Sequence, residues 1–408
     1  MKIVFFTDHF VPEISAPAAH ILDRCKLWVD QGHNVTVITN FPNYPLGKTY
    51  TGYKNRIRKW DSIEGIKILR VGTFMAENKG TILRTLDYIS FAISSFLNSL
   101  FLRKPDIVYS TSPHIFAPLG AIGFAWIKRV PHVLEVRDLW PESIAATTGM
   151  SRNSWIFKLF LFLEIFIYKS SKKIVVFTDS FKSHITSKGI ANSKLDVVIN
   201  GANTKLFSDP EYDIELAKEL GLKDKFVVGY FGTHGLSHGL LNAIRAASLV
   251  KDNDIFFLFV GEGAEKKSMI ALAKDLGITN VCFIGQQLRN KIPKFWGLCN
   301  VGLVHLKNDP VFETVIPSKI FETMAAGRPL IYCGPVSDGS KLILKHQCGL
   351  ISRPDDPRDL ANKINELKNN PQIIEKLANN SKKASINFSR ERQAIKTLDV
   401  LKAAARLK

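Results

Sequence analysis

Ten short apolar runs, alternating with helix-length segments, constrain the fold of this chain more than any other feature. Those of the first half are KIVFFT at 2–7, NVTVIT at 34–39, DIVYST at 106–111, HVLEV at 132–136 and KIVVFT at 173–178. Each is nearly continuous in apolar character, which is typical of a strand covered on both faces. Because helical patterns lie between them, we predict βαβ crossovers and a parallel, doubly wound sheet.

The same alternation begins again after residue 201. The second set is FVVGYFG at 226–232, IFFLFVG at 255–261, VCFIG at 281–285, VGLVHL at 301–306 and PLIYCG at 329–334. A chain of 408 residues is also too long for one hydrophobic core. We therefore predict two α/β domains with Rossmann-like sheets facing a cleft, at 1–197 and 198–386, and a C-terminal surface helix at 387–408 that can cross back to the first domain.

The net charge limits the classes of partner expected, and the cysteine content indicates the cellular compartment. Lys and Arg number 55 against 37 Asp and Glu, a net charge of +18, which favours phosphate, nucleic acid or an acidic lipid surface as partner. The five cysteines are scattered without a CxxC pair, which is typical of reduced thiols in a cytoplasmic protein and predicts no zinc site. Asp8 and His9 interrupt the apolar start before it reaches signal-peptide length, so we expect a cytoplasmic amino terminus.

Two apolar segments and one basic segment bear on membrane association. Residues 88–102 and 155–168 are shorter than the roughly 20 residues that cross a bilayer, so we expect buried helices or helices in the interface. Residues 47–60, GKTYTGYKNRIRKW, suit anionic headgroups or a lipid diphosphate, although a solvated basic loop fits the composition equally well. Together with the apolar run at 155–173, which ends in cations, this segment favours peripheral attachment to the inner face of the cytoplasmic membrane.

Glycine-rich turns follow two strands of the second half. Open parallel sheets bind ligands beyond the carboxyl ends of their strands, so these turns are candidates for a phosphate site. In FVVGYFGTHGLSHG, the backbone at Gly232 and Thr233 can approach a phosphate, and His238 follows. In LFVGEG, Gly261 and Glu262 form a second turn of close approach. Taken alone, each is explained as well by an ordinary strand-to-helix turn.

The most specific stretch is IPSKIFETMAAGRPLIYCG at 316–334. Pro317 suits the first turn of a helix, and Ser318 and Lys319 lie beside its free amides, so a cation and a positive helix end converge on one anion. Glu322 lies three residues later on the same face, where it can accept hydrogen bonds from the hydroxyls of a ribose. An ordinary surface ion pair is the alternative, and the coincidence of three features favours the site.

These motifs resemble the GT-B glycosyltransferases, specifically family 4, the retaining nucleotide-sugar enzymes. The resemblance covers nearly the whole chain, through QGHNVTVIT, EVRDLWPES, VVINGANTKLF, VVGYFGTHGLSHGL, FVGEG and PSKIFETMAAGRPLI in that order. Among such enzymes the chain is most similar to the bacterial L-fucosamine transferases of O-antigen and capsule assembly. The resemblance implies a retaining transfer of a sugar, such as an N-acetylated deoxyhexose, from a nucleoside diphosphate, UDP being expected, to a polyprenyl-diphosphate-linked saccharide.

The resemblance also implies a donor site in the second domain. Glu322 is similar to the final glutamate of the family's E-x7-E motif and would hold the ribose. The first glutamate of that motif is replaced by Thr314, with Glu313 one place off, and His238 stands where many members have a lysine. Lys319 would replace the missing charge. The remaining donor contacts implied are those to the diphosphate and to the base, from Gly232, Thr233, Gly261, Glu262, Gln286, Leu288, Pro317 and Ser318.

In the first domain, Arg137 and Asp138 end a strand and would face the cleft. We expect Asp138 to bind a sugar or acceptor hydroxyl and Arg137 to balance charge on the diphosphate or the acceptor, with Lys319 as the third catalytic group; a structural Arg and Asp pair is the alternative. The loop of Ser15, Ala16 and Pro17, together with His114, would contact the acceptor. His9 and Glu13 are further candidates on loops.

Retention needs a stabilised leaving diphosphate, which Lys319 and a helix amino terminus can supply without a metal. Because the DxD at 252–254 precedes a strand, at the wrong end for the cleft, we interpret it as a turn and expect metal independence and no other cofactor. Three alternatives remain: a UDP-sugar 2-epimerase of the same architecture, a nucleic-acid binder, and a nonenzymatic donor-binding protein. A nucleic-acid partner is not expected, since we find no basic helix with aromatic platforms.

Overall fold

A computed structural model describes residues 1–13, 15–44, 46–76, 81–112 and 114–406 of the chain. The chain divides into two compact units, one formed by Met1–Ile199 with Arg390–Lys408 and the other by Asn200–Ser389. Each unit is built around its own mainly parallel sheet with helices packed on it. This architecture confirms the predicted fold class of two Rossmann-like sheets.

The strands, numbered in chain order, include all ten apolar runs. In the described part of the first unit they are β1 Lys2–Phe6, β2 Asn34–Asn40, β3 Arg58–Ile63, β4 Ile66–Val71, β5 Ile107–Thr111, β6 His132–Val136, β7 Lys173–Val176 and β8 Leu195–Val197. In the second unit they are β9 Phe226–Phe231, β10 Ile255–Val260, β11 Val281–Ile284, β12 Val301–His305, β13 Leu330–Cys333 and β14 Gly349–Ser352.

The helices fill the connections between these strands. Those before residue 200 are α1 Ala16–Asp30, α2 Thr81–Ser99, α3 Phe116–Lys128, α4 Glu142–Thr148, α5 Trp155–Ser170 and α6 Asp179–Ser187. Those after it are α7 Thr204–Phe207, α8 Ile214–Glu219, α9 Leu241–Leu249, α10 Lys266–Asp275, α11 Ile292–Leu298, α12 Ser318–Ala325, α13 Asp338–Lys345, α14 Pro357–Lys368, α15 Pro371–Ser385 and α16 Arg390–Arg406.

The first sheet has the order β3-β4-β2-β1-β5-β6-β7-β8 and is parallel except at its edge. Ile3 lies opposite both Val35 and Ile107, so β1 is the centre from which the chain winds first one way and then the other. The edge hairpin of β3 and β4 turns at Glu64 and Gly65, which both have positive φ (52° and 76°). Residues 58–60 of the basic segment therefore lie in a strand, so the alternative of a solvated loop does not hold for them.

The α16 helix has one face in the core of the first unit. Leu398 and Leu401 are buried with the residues that cover β1 and β2. The indole Nε1 of Trp28 donates to the carbonyl oxygen of Ala394 over 2.9 Å. Its buried residues Ala394, Leu398, Leu401 and Ala404 recur at helical spacing, and this face packs on α1.

The second sheet is parallel throughout, in the order β11-β10-β9-β12-β13-β14. Ile255 lies opposite Phe226, and Val301 lies opposite Val228, so the winding direction reverses between β9 and β12. In the first sheet it reverses between β1 and β5. Such switch points leave a crevice at the carboxyl ends of the strands, where ligands of open sheets bind.

Among the described residues, no helix combines the length and the apolar character needed to cross a bilayer. The α2 helix contains residues 88–99 of the first apolar segment, and α5 contains the second. Each helix has one face packed inside the first unit. A Cβ at Gly120 of α3 would lie 2.7 Å from the carbonyl oxygen of Ala92 on α2, so glycine permits these two helices to approach closely.

Candidate functional site

At the switch point of the second sheet, Gly232 follows β9, and the amine of Lys319 lies beside it. The Gly232 N–H donates to the carbonyl of Val260 over 2.9 Å, and φ is +128°. A Cβ at this position would lie 3.0 Å from Lys319 Nζ. The structure thus brings together two residues that the sequence predicted to share an anion.

Lys319 is the second residue of α12, one turn before Glu322. Its Nζ is 5.0 Å from the centre of the Tyr230 ring, on the strand that leads to Gly232. Burial lowers the pKa of Lys319 to about 8, although Glu322 opposes the shift. Pro317 is extended (φ −60°, ψ 135°) and precedes the helix, so the prediction that it lies in the first turn is wrong; Ser318 is the first helical residue.

The turns after β9 and β10 pack backbone against backbone. A Cβ at Gly261 (φ +149°) would lie only 1.9 Å from the carbonyl oxygen of Gly232. A Cβ at Gly263 would lie 2.3 Å from the carbonyl oxygen of His234. The His234 N–H also donates to the carbonyl of Glu262 over 2.8 Å. Glycine is therefore required here, and the two predicted turns form a single unit of structure.

His234 lies inside this unit and was missed by the sequence reasoning. Its side chain is fully buried, and neither ring nitrogen has a hydrogen-bond partner among the described residues. The ring meets Phe259 edge-on at 6.2 Å. Burial, with the nearby Lys266, lowers its pKa to about 4. A histidine one residue beyond a glycine turn is a weak sequence signal, because the sequence alone does not reveal its burial.

His238 lies in a short 3-10 helix, Leu236–His238, at the same switch point. Its ring is half-buried, and Nδ1 has no hydrogen-bond partner within the described chain. Its carbonyl oxygen accepts from Nδ1 of His305, at the end of β12, over 2.6 Å. Burial and Lys319 lower the pKa of His238 to about 4.

The other predicted donor residues surround this turn with less specific contacts. Glu262 is exposed and bonds Lys266 over 2.7 Å, which lowers the pKa of its carboxyl group. Thr233 is exposed, and its carbonyl oxygen accepts from the hydroxyl of Tyr230 over 2.9 Å. Gln286, Leu288, Glu313 and Ser318 are exposed, whereas Thr314 and Glu322 are half-buried.

In the first unit, Arg137 is paired with Glu135 rather than with Asp138. The guanidinium of Arg137 bonds the Glu135 carboxylate over 2.7 Å and the Thr111 hydroxyl over 2.8 Å. Glu135 is fully buried and also accepts from Arg24 and Tyr109. The guanidinium predicted to balance a diphosphate charge thus has an internal carboxylate partner. Asp138 lines a small cavity of about 20 Å³, and burial raises its pKa although Arg137 opposes this.

The switch point of the first sheet holds a second polar cluster, which we call the β1–β5 cluster: Asp8, His9, Glu13, Asp87, Tyr88 and His114. His114 is fully buried, bonds Asp8 through Nε2 over 3.1 Å and stacks on the Tyr88 ring at 4.0 Å. His9 bonds Glu13 over 2.8 Å. Burial, with the charge of Asp8, raises the pKa of Asp87 to about 7.

The remaining predicted acceptor residues begin α1. The hydroxyl of Ser15 accepts from the Ala18 N–H over 3.3 Å and caps the helix, and Ala16 and Pro17 form its first turn. The Ser15 hydroxyl thus has a role in capping the helix. Contact of this loop with the acceptor substrate stays a prediction.

Metal ligands do not cluster in the described part of the chain: no group of three His, Cys, Asp or Glu residues there could hold an ion. The DxD segment lies before β10, at the amino end of the sheet, where Asp252 accepts from the Asp254 N–H over 2.8 Å and bonds Lys368. This location agrees with its interpretation as a turn.

Solved structures with the same fold cover nearly the whole chain. Sucrose-phosphate synthase from Thermosynechococcus elongatus matches 100% of both chains with a TM-score of 0.76 and 15% identity. The HepE protein of Anabaena, solved with UDP, matches 99% of this chain and all of its own with a TM-score of 0.72 and 16% identity. WaaG, a glycosyltransferase of lipopolysaccharide biosynthesis, has a TM-score of 0.71 and 15% identity over 98% of this chain and 99% of its own.

Sequence comparison identifies two family models and several relatives. Residues 213–384 match the model described as glycosyl transferases group 1, and residues 18–206 match that of glycosyltransferase family 4. WcaI of Escherichia coli strain K12, named for colanic acid biosynthesis, is 25% identical over 80% of this chain and 82% of its own. The glycosyltransferase WbjE of Pseudomonas aeruginosa is 30% identical over 65% of this chain and 66% of its own. These matches give the epimerase alternative no support. The chain is a glycosyltransferase of the GT-B fold, similar to the group 1 and family 4 enzymes of polysaccharide biosynthesis.

Proposed function

We propose that this enzyme transfers a sugar, with retention, from a nucleoside diphosphate to a polyprenyl-diphosphate-linked saccharide. The observation that carries the donor half is the amine of Lys319 lying over the Gly232 turn, at the amino end of α12. Exposed backbone, a cation and a helix end at one point suit a diphosphate. UDP is the expected nucleotide, because the HepE structures of the same fold hold UDP and UDP-glucose.

In this proposal Lys319 stabilises the negative charge that develops on the leaving diphosphate, without a metal. Glu322, one turn further along α12, binds the ribose, and the exposed loop of Gln286 and Leu288 contacts the base. An N-acetylated deoxyhexose such as L-FucNAc is the proposed sugar, near Glu313 and Thr314. Asp138 and the β1–β5 cluster are the proposed acceptor groups of the first unit.

A lipid-linked acceptor is supported by the outer face of α2. This face exposes a stripe of apolar side chains at helical spacing, Leu83, Leu86, Ile93 and Leu97, which continues to Phe101 and Ile57. The last four of these residues line a groove of about 460 Å³. The flanking cations are exposed: Lys54, Arg56, Arg58, Arg103 and Lys104. Apolar area beside cations suits the surface of an anionic membrane, the proposed location of the enzyme.

A thermal-shift panel of UDP, GDP, dTDP, CMP and ADP tests the donor half, because a ligand that binds only the native state raises its apparent stability. We expect one nucleotide to stabilise the protein, and Lys319→Ala and Glu322→Ala to abolish the effect. Lys345→Ala, which removes an exposed lysine of the same unit, is the control. No response to any nucleotide would refute the proposed donor site.

Liposome flotation tests the membrane half. We expect binding to anionic vesicles at low salt that is lost in the double variant Ile93→Ser/Leu97→Ser and weakened by Lys→Glu changes at 54 and 59. Ile270→Ser, which removes a comparably exposed apolar residue (46%) from α10, is the control. Equal flotation of all variants would show that α2 is not the contact. Activity that is lost with a chelator and restored by Mg²⁺ would contradict metal independence.

A further inference from the structure

Three basic side chains surround one aromatic ring at the Gly232 turn. The centre of the Tyr230 ring lies 5.0 Å from Lys319 Nζ, 5.8 Å from the centre of the His234 ring and 6.0 Å from that of the His238 ring. Nε2 of His234 is also 3.3 Å from the position that a Cβ on Gly261 would occupy. Three groups that can be positively charged therefore lie around the one ring of Tyr230.

The two histidines have ring nitrogens without a hydrogen-bond partner among the residues that the structure describes. Buried polar atoms in folded proteins are nearly always paired, and an exception calls for an explanation. His234 has two such atoms and His238 has one, Nδ1, without a partner in the described structure. His234 is fully buried, so solvent at the surface does not satisfy its ring. An anion bound at the turn would give these nitrogens an acceptor.

Burial, together with the cations that face the cluster, keeps the imidazoles neutral. His234 faces Lys266 and Glu262, which bond each other, and Lys319. Glu265, on the same loop, has a carboxylate oxygen that accepts from the Leu240 N–H over 2.8 Å.

His238 faces Lys319, His305 and His234, and Glu322 is the carboxylate that acts on Lys319. The carboxylates near His234 thus have other partners, and the nearest cations repel a proton from both rings. A bound dianion would reverse this balance.

We propose that the diphosphate of a nucleotide sugar binds at this cluster with uptake of protons by His234 or His238 and by Lys319. The identity of the ligand rests on the proposed function; the proton uptake rests on the geometry of the cluster. The cluster would thus gain positive charge when the donor binds, and donor affinity would fall as pH rises.

The expected uptake follows from the groups involved. Lys319, with a pKa of about 8, is half protonated near pH 8, so complete protonation by the bound anion takes up about half a proton there. An opposite charge at about 4 Å, with an effective dielectric constant of about 20, raises a histidine pKa by about three. From about 4, this brings one imidazole to about 7. Near pH 6 we therefore expect uptake of about one proton.

Isothermal titration calorimetry measures this uptake directly, through the dependence of the binding enthalpy on the ionisation enthalpy of the buffer. The probes are UDP-glucose, dTDP-glucose, GDP-mannose and ADP-glucose, since a diphosphate diester does not titrate near neutral pH and the protons must come to the protein. For the probe that binds, we expect Lys319→Arg to retain binding and abolish uptake near pH 8, because arginine stays charged.

The histidine variants test the other half of the uptake. His234→Asn and His238→Asn should together abolish uptake near pH 6, whereas His346→Asn, elsewhere in the same unit, should leave it unchanged. Should the double variant fail to fold, the wild-type affinity decides: the dissociation constant should rise about five- to tenfold per pH unit between about pH 5 and 7 and about threefold per unit near pH 8. Binding with a buffer-independent enthalpy and a flat pH profile would overturn this proposal and leave the proposed function intact. Failure of all four probes to bind would overturn both.

Discussion

Replacement of Gly261 by alanine tests whether the two strand-end turns of the second unit are locked together. The new Cβ would lie 1.9 Å from the carbonyl oxygen of Gly232, where ordinary contacts begin at 3.4 Å, so one of the turns must move by about 1.5 Å. The backbone at position 261 also has φ +149°, which side-chain-bearing residues rarely adopt. Strain of this kind costs about 1–3 kcal/mol, and forced repacking costs a similar amount.

We therefore expect Gly261→Ala to lower the free energy of unfolding by about 2–4 kcal/mol. The displaced carbonyl belongs to Gly232, which lies beside the amine of Lys319. Stabilisation by nucleotide should therefore also be lost. The matched control is Gly277→Ala: φ is +64°, and nothing lies within 4 Å of its Cβ position, so only the conformational cost of about 1 kcal/mol applies. Urea titration of the full chain measures the free energy of unfolding, and thermal shift measures the stabilisation by nucleotide.

The reasoning is refuted if the two alanine variants have the same unfolding free energy within about 0.5 kcal/mol and the same response to nucleotide. Such a result would mean that the turn after β10 can move without disturbing the turn after β9.

Three further predictions concern the first unit. Glu135→Ala should cost about 3–5 kcal/mol in a urea titration, because it leaves two guanidinium groups without their buried carboxylate. Leu398→Ala on α16 should cost about 2–5 kcal/mol and the exposed Lys396→Ala almost nothing; equal effects would contradict the burial of that helix. Although burial opposes it, Asp8 helps raise the pKa of His9 to about 9, above its ordinary 6.5. The stabilisation, about 3 kcal/mol at full strength, is present below pH 6.5 and lost as pH rises to about 9; His9→Gln should remove this dependence.

The sequence predicted nine central strands and the edge strand β11, because each of them reads as a short apolar run. It missed the edge strand β3, since a strand with one partner and a solvated face keeps polar residues: RKWDSI resembles a basic loop. It also missed β4, IKILRV, which is buried between β3 and β2. It missed β14, whose four residues, GLIS, are too few to show a period. β3 and β14 are both edge strands, which need less apolar sequence than central ones.

The candidate site divides in the same way. The nearness of Lys319 to Gly232 could be predicted, because the family resemblance assigned both residues to one diphosphate. The burial of His234 and the attachment of Arg137 to Glu135 could not, since both depend on partners brought together by tertiary packing. Glu135 accepts from Arg24, which is 111 residues away in the chain. A buried glutamate inside a strand is the one local sign that such a network exists.

The position of α16 in the chain has a consequence for biosynthesis. The helix completes the core of the first unit but follows the whole of the second, so a ribosome synthesises about 190 further residues, Asn200–Ser389, before it emerges. Throughout that interval the surface around Trp28 that α16 will cover is open to water. The nascent first unit would then be a client for chaperones until α16 has emerged, and truncations that remove α16 would affect its solubility more than that of the second unit.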